Sequence, residues 1–195
     1  MVGGNGRGGG ERVLRFGSVA VAGAVLTGIV AVYMALVAFG NITDFGTNRE
    51  FVRHVLAMDT TFRDEDVMWR AIESHAVADA AYVGIIVWET LAAAVLLGAV
   101  WLWARGLRRA PSGSGGSAGD MDRARRVSTL GLVMVVLLFG FGFIVIGGEW
   151  FQMWQSSDWN GLEPAGRNVM LAAFTLVVIH LPGARGSGED GRPPR

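Results

Sequence analysis

Apolar residues fall along this chain in four long blocks, separated by polar segments of very different character. The first block runs from about 16 to 39, Phe16 to Phe39, with no charged residue, and as a helix it is long enough to cross a hydrocarbon core of about 30 Å. A cleaved signal peptide has an apolar stretch of only about 7–15 residues, so the block reads as a retained anchor. The second block, 78–103, is broken only by Asp79 at its start and Glu89 near its middle. The third, 127–148, is rich in glycine, which membrane helices tolerate because it lets neighbours approach closely. The fourth, 165–181, is the shortest, with Arg167 near its start and Pro182-Gly183 ending it.

The segment from Asn41 to Val77 carries helical signals of its own. Thr47-Asn48-Arg49-Glu50 has capping-box spacing, and Phe51, Val52, Val55 and Leu56 after it share one helical face. Asp64-Glu65-Asp66 puts negative charge before Val67, Met68 and Ile72, where a second short helix is expected. Both pieces read as amphipathic helices lying on the membrane or on the ends of the spans. Residues 110–120 read as an unstructured Gly/Ser linker, and 1–15 and 182–195 as disordered tails. The pattern therefore predicts an all-α membrane protein: a four-transmembrane-helix bundle over 16–181, with short amphipathic helices in the first extracytoplasmic loop. Ala20, Ala24 and Gly28, at i, i+4 and i+8, offer a smooth face for close packing in the first span.

Composition sharpens this picture. Charged residues make up 17% of the chain, against about 25% in ordinary globular proteins. With no Cys there is no disulfide, thiolate metal site or cysteine nucleophile. There is no Lys, so all 17 basic residues are Arg, and the net charge of zero hides their segregation. Three lie before the first span, six in 104–126 and three after the fourth span, whereas the loop after the first span has four Arg against seven acidic residues. The positive-inside rule then puts both termini and the 104–126 loop in the cytoplasm. The basic flanks match anionic lipid, and nothing here forms a nucleic-acid signature.

Four segments away from the basic side are specific in their wording: Asn41-Ile42-Thr43-Asp44-Phe45-Gly46; Phe51-Val52-Arg53-His54-Val55-Leu56-Ala57-Met58-Asp59-Thr60-Thr61-Phe62; Met68-Trp69-Arg70-Ala71-Ile72; and Gly147-Gly148-Glu149-Trp150-Phe151-Gln152-Met153-Trp154-Gln155. Together they resemble the bacterial predicted small integral membrane proteins grouped as the domain of unknown function 2165 family, over roughly Phe16 to Leu181. The resemblance implies a bacterial inner-membrane protein with four spans, and it implies no activity.

Glu89 is the sharpest candidate for chemistry. A carboxylate at the centre of a span costs about 2.5–3.5 kcal/mol, so it should face the bundle interior or a water pocket. It can serve as a proton or cation site, or as a hydrogen-bonded group linking helices, with Thr27 or Tyr33 as partner. Helical counting puts Ala81, Ile85, Ala92, Ala93 and Leu96 on its face. His54 and His75 fall in the first loop, with Asp59, Glu73 or Asp79 nearby, and are weak candidates for an outer metal site, although their spacing matches no metal motif. His180 falls at the opposite end, so a bis-histidine haem has no matched pair. Trp69, Trp150, Trp154 and Trp159 read either as an interfacial belt or as a contact surface for a partner, with Glu149 at a helix end within reach of Arg53 or Arg70. The Asn41-Ile42-Thr43 triplet matches a glycosylation acceptor in form only.

No nucleophile–base pair stands out, and no cofactor is predicted. The reading from sequence is a non-enzymatic accessory membrane protein that binds a membrane or periplasmic protein partner, or another copy of itself, through its extracytoplasmic cap. The alternative is an oligomeric proton, ion or small-solute transporter using Glu89.

Overall fold

The computed structural model describes residues 18–109 and 116–182, so the segments read as tails, apart from Pro182, and residues 110–115 of the linker lie outside the described residues. Helix α1 spans Val19–Thr43 and opens at Ser18, whose hydroxyl accepts from Val21 N at 3.3 Å. It runs one turn past the apolar block. Thr43 Oγ1 bonds back to Phe39 O at 2.9 Å, which leaves Asn41 helical rather than in a loop.

Helix α2, Phe45–Ala57, follows after the single non-helical residue Asp44, whose N–H bonds Gly40 O at 2.8 Å. The expected capping box is therefore not formed, because Thr47 already lies inside the helix. The apolar face read for this helix is real: Val52 is buried, and Phe51, Val55 and Leu56 turn towards the spans. The second short helix reduces to one 3₁₀ turn, Met68–Arg70. Asp64 O accepts from both Val67 N and Met68 N, and Asp64 Oδ1 accepts from Asp66 N at 3.0 Å. The acidic run thus closes a turn on itself instead of opening a helix. Ile72 N then bonds Leu56 O at 2.8 Å, tying the loop to the end of α2.

Helix α3 is His75–Arg109, α4 is Gly116–Val136, and α5 is Leu162–His180. Helix α4 begins inside the segment read as a linker. Arg109 donates to Asp120 at 3.0 Å, and the largely buried Asp120 fastens this first part of α4 to the end of α3. Beyond Val136 the chain stays helical with wider π turns over Leu137–Trp150, closed by Phe151 N bonding Ile146 O at 3.0 Å. A π segment of this length is unusual, and such departures from α geometry often accompany functional sites.

Four helices are long and apolar enough to cross a membrane: Val19–Thr43, His75–Arg109, Gly119–Trp150 and Leu162–His180. No strand occurs among the described residues. The spans close into a ring in the order α1, α3, α4, α5, and α2 lies across one end as part of a cap. Packing is tightest between α3 and α4 near the opposite, basic end. A Cβ on Gly131 would sit 2.6 Å from Leu96 Cγ, so the bare glycine backbone is what lets these helices meet. Trp103 is buried beside them and donates to Ser128 Oγ at 2.9 Å, while Thr27 donates to the same oxygen at 3.4 Å. Lipid is as apolar as the core, so shape fit and hydrogen bonds of this kind hold the spans together. In α1 the most buried stripe is Gly23, Thr27, Val30, Ala31, Met34 and Ala38; the expected Ala20, Ala24 and Gly28 face flanks it.

Candidate functional site

Helix α3 carries Glu89 into the middle of the ring, where it is 2% exposed. The residues expected on its face divide. Ala92, Ala93 and Leu96 are buried below it, whereas Ala81 and Ile85 border a cleft and Tyr82 is the buried residue above. Its hydrogen-bond partner is neither Thr27 nor Tyr33. Thr27 is engaged with Ser128, and the amide of Asn41 donates to Glu89 Oε2 at 2.6 Å. Asn41 is held in turn by Tyr82, whose hydroxyl donates to the Asn41 carbonyl at 2.8 Å.

Sequence reasoning missed Asn41 by ending the first span with its apolar block. The available signal was spacing: Tyr33, Val37 and Asn41 recur every fourth residue and line one wall of the same cavity. The sequon-like asparagine is therefore the carboxylate's amide partner.

That cavity holds about 300 Å³. Every span contributes to it, α2 roofs it with Asn48, Phe51 and Val52, and Asn160 and Gly161 stand at its capped end. Asn168 of α5, 7% exposed, lines it opposite α3 and has no hydrogen-bond partner among the described residues. Among the described residues no Arg or His lines the cavity, so none of them faces the Glu89 carboxyl with a cation there. Below, Ala92, Leu96, Met34, Val135 and Ala172 are buried against one another, and the cavity ends on this packed layer. Aromatic rings, amides and one acid at this spacing can bind a group that donates hydrogen bonds.

The cap above is fastened to α3 by Arg53. Its Nε and Nη2 pair with the two carboxylate oxygens of Asp79, each at 2.8 Å, and Nη1 reaches Glu50 at 2.9 Å. The hydrogen bonds that Arg53 donates to Asp79 are the largest cause that raises its pKa above the ordinary value. Of the two arginines offered to Glu149, neither pairs with it. Arg53 is occupied by Asp79, and Arg70 stacks on Trp150 at 4.9 Å and Trp69 at 5.6 Å, leaving the exposed Glu149 with no ion pair among the described residues.

The four tryptophans do not form one surface. Trp69 and Trp150 meet edge to face at 5.6 Å, Trp154 meets Phe62 at 6.0 Å, and Trp159 lies partly buried against Phe51 and His54. His54 stacks on Trp159 at 4.7 Å and turns Nδ1 to Asp59 at 2.8 Å. It shares a groove of about 260 Å³ with His75, Asp59 and Glu73. No group of three or more His, Asp or Glu among the described residues is arranged to hold a metal ion. His180 bonds Thr129 at the far end.

The whole arrangement, from the first turn of α1 to the end of α5, coincides with one family model. It matches residues 19–182, and its description is predicted small integral membrane protein (DUF2165). The chain belongs to the DUF2165 family. The family description carries no activity. No curated protein and no solved structure matches the chain. Within this DUF2165 chain, the matched region contains both Glu89 and its partner Asn41, so the cavity belongs to the family domain.

Proposed function

We propose that this protein is a non-enzymatic binding protein of the bacterial inner membrane, and that its site is the Glu89 cavity, reached from the extracytoplasmic side. The ligand group is a cation or strong hydrogen-bond donor of about the size of one substituted ring. The observation that carries this is the pairing of a buried carboxyl with an otherwise uncompensated cavity: among the described residues, Glu89 takes one amide hydrogen bond, Asn168 takes none, and no basic side chain lines the walls. Intramembrane acids that face a cavity are functional by default, since leaving them there has a standing cost. Arg segregation supports putting both termini in the cytoplasm and the cap outside.

The packed layer beneath the cavity favours binding over conduction, because transport requires that layer to part. Thermal unfolding of the purified protein tests the reading, with benzylamine, benzyl alcohol and benzoate as probes. Benzylamine should raise the midpoint, benzoate should not, and Glu89→Gln should abolish the rise. An equal response to all three, or a rise that survives Glu89→Gln, contradicts it.

One observation favours a second reading, a protein partner docked on the cap. Trp69 is 70% exposed and, with Arg70 and Trp150, makes a stacked aromatic–cation patch of the kind enriched at contact hot spots. Loss of a specific crosslinked membrane or periplasmic partner on Trp69→Ala supports it; an unchanged crosslinking pattern rules it out.

A further inference from the structure

The tight pairing of α3 with α4 does not continue into the π segment. The two helices are in close contact along the basic half of the bundle, and they separate towards the cap. The gap faces the bilayer, between Gly84 and Trp88 of α3 and Leu137 and Phe141 of the π segment, and it holds about 430 Å³. Nothing lies within 4 Å of where a Cβ on Gly84 would be, so a side chain added there would enter open space.

Behind the gap is a smaller chamber of about 180 Å³, almost wholly apolar, roofed by Val55 and Leu56 of α2. Gap and chamber share Ala81, Ile85, Leu138 and Gly142. Chamber and carboxylate cavity share Phe51, Val52, Ile85 and Phe143. Gap, apolar chamber and carboxylate cavity thus adjoin in that order, each sharing wall residues with the next.

Resting on the binding role proposed above, we infer that the ligand is a cationic amphiphile: an amine-type head at Glu89 and Asn168, and a single hydrocarbon chain lying in the apolar chamber and leaving sideways into the outer leaflet. Each compartment selects one part of this molecule. The cavity offers one carboxyl with no basic group among its lining residues, and the Asn168 amide, which has no partner among the described residues; these suit a positively charged donor. The chamber and gap offer almost no polar atom, which suits methylene groups and nothing that needs hydrogen bonds. A wholly water-soluble ligand would use the capped end alone and leave the apolar branch empty. A neutral lipid would leave Asn168 without a partner and Glu89 with only its amide hydrogen bond from Asn41.

The test compares dodecylamine, dodecanol and benzylamine on the full-length protein in lipid nanodiscs. Wild type should bind dodecylamine more tightly than benzylamine and should not retain dodecanol. Gly84→Trp, which fills the gap from the lipid side, should weaken dodecylamine on the order of tenfold, about what two methylene groups lose when their burial is denied, and should leave benzylamine unchanged. Retained benzylamine binding shows that the variant is folded. If Gly84→Trp does not fold, Gly142→Leu on the facing wall makes the same comparison. Dodecylamine binding that is unaltered in the filled variant, or a wild type that does not distinguish dodecylamine from dodecanol, overturns the inference while leaving a small-ligand cavity intact. Failure of every amine to bind wild type overturns the cavity reading itself.

Discussion

Asn41 and Glu89 lie 48 positions apart in sequence and meet at 2.6 Å inside the bundle, the amide donating to the carboxyl oxygen. This contact joins the last turn of α1 to the centre of α3, and Tyr82 holds Asn41 from the other side. Asn41→Leu removes the donor while keeping bulk, and leaves a buried acid unpaired. A buried polar group deprived of its partner costs about 1–3 kcal/mol, so the unfolding midpoint should fall accordingly in denaturant or heat. In a Glu89→Leu background the same substitution should cost much less, because nothing is then stranded. Equal losses in the two backgrounds would mean that the pair is not coupled.

The basic half of the bundle gives a prediction independent of any ligand. Leu96 occupies the space where a Gly131 side chain would go. Gly131→Val should destabilise by about 1–3 kcal/mol through overpacking, and Leu96→Ala should recover part of that loss. The double variant measured by chemical unfolding checks the contact. If the second substitution only adds to the first, the helices do not meet there.

Arg53 governs the cap. Replacing it with Ala frees Asp79 and Glu50 and should raise hydrogen exchange in α2 while leaving α3 and α4 near Gly131 unchanged. The sign of its pH dependence follows from its raised pKa. A base whose folded-state pKa is raised contributes fully below its unfolded value and loses that contribution only as pH climbs through the guanidinium range. Exchange protection of α2 should therefore hold from neutral pH well into the alkaline range and weaken only as pH climbs through the guanidinium range. A loss of protection on mild alkalinisation would contradict the pairing.

Trp103, buried and bonded to Ser128, is the natural probe of the packed layer. Trp103→Phe should remove a blue-shifted component from the intrinsic emission and cost about 1 kcal/mol, the net contribution of one hydrogen bond. Ser128→Ala should red-shift nothing yet lower stability similarly. An exposed-type emission from Trp103 would show that the layer is open.

These contacts were unequally legible in the sequence. The spans were plain because a membrane helix must be apolar over its whole length, and the four blocks recorded this. Their ends were not. Asn41 stayed helical through Thr43's bond to Phe39 O, and α4 began among linker-like residues because Arg109 meets Asp120; hydropathy sees neither contact. Glu89 stood out as a charge in an apolar run, but its partner came from residues that looked like loop. The acidic run at Asp64–Asp66 misled for a related reason. Negative charge favours both a helix start and a self-bonded turn, and only the tie from Ile72 to Leu56 decides between them. The π segment carried no signal distinguishing it from an ordinary glycine-rich span.

The central claim, that the cavity is an accessible site governed by Glu89, can be measured directly because the chain has no cysteine of its own. A single Asn168→Cys places one thiol in the cavity wall opposite Glu89. In intact cells it should react with small methanethiosulfonates added outside, faster with the cationic ethylammonium reagent than with the anionic ethylsulfonate, and Glu89→Gln should remove that preference. A thiol at 168 that reacts only from the cytoplasmic side, or that reacts with both reagents at the same rate with Glu89 present, would contradict the account.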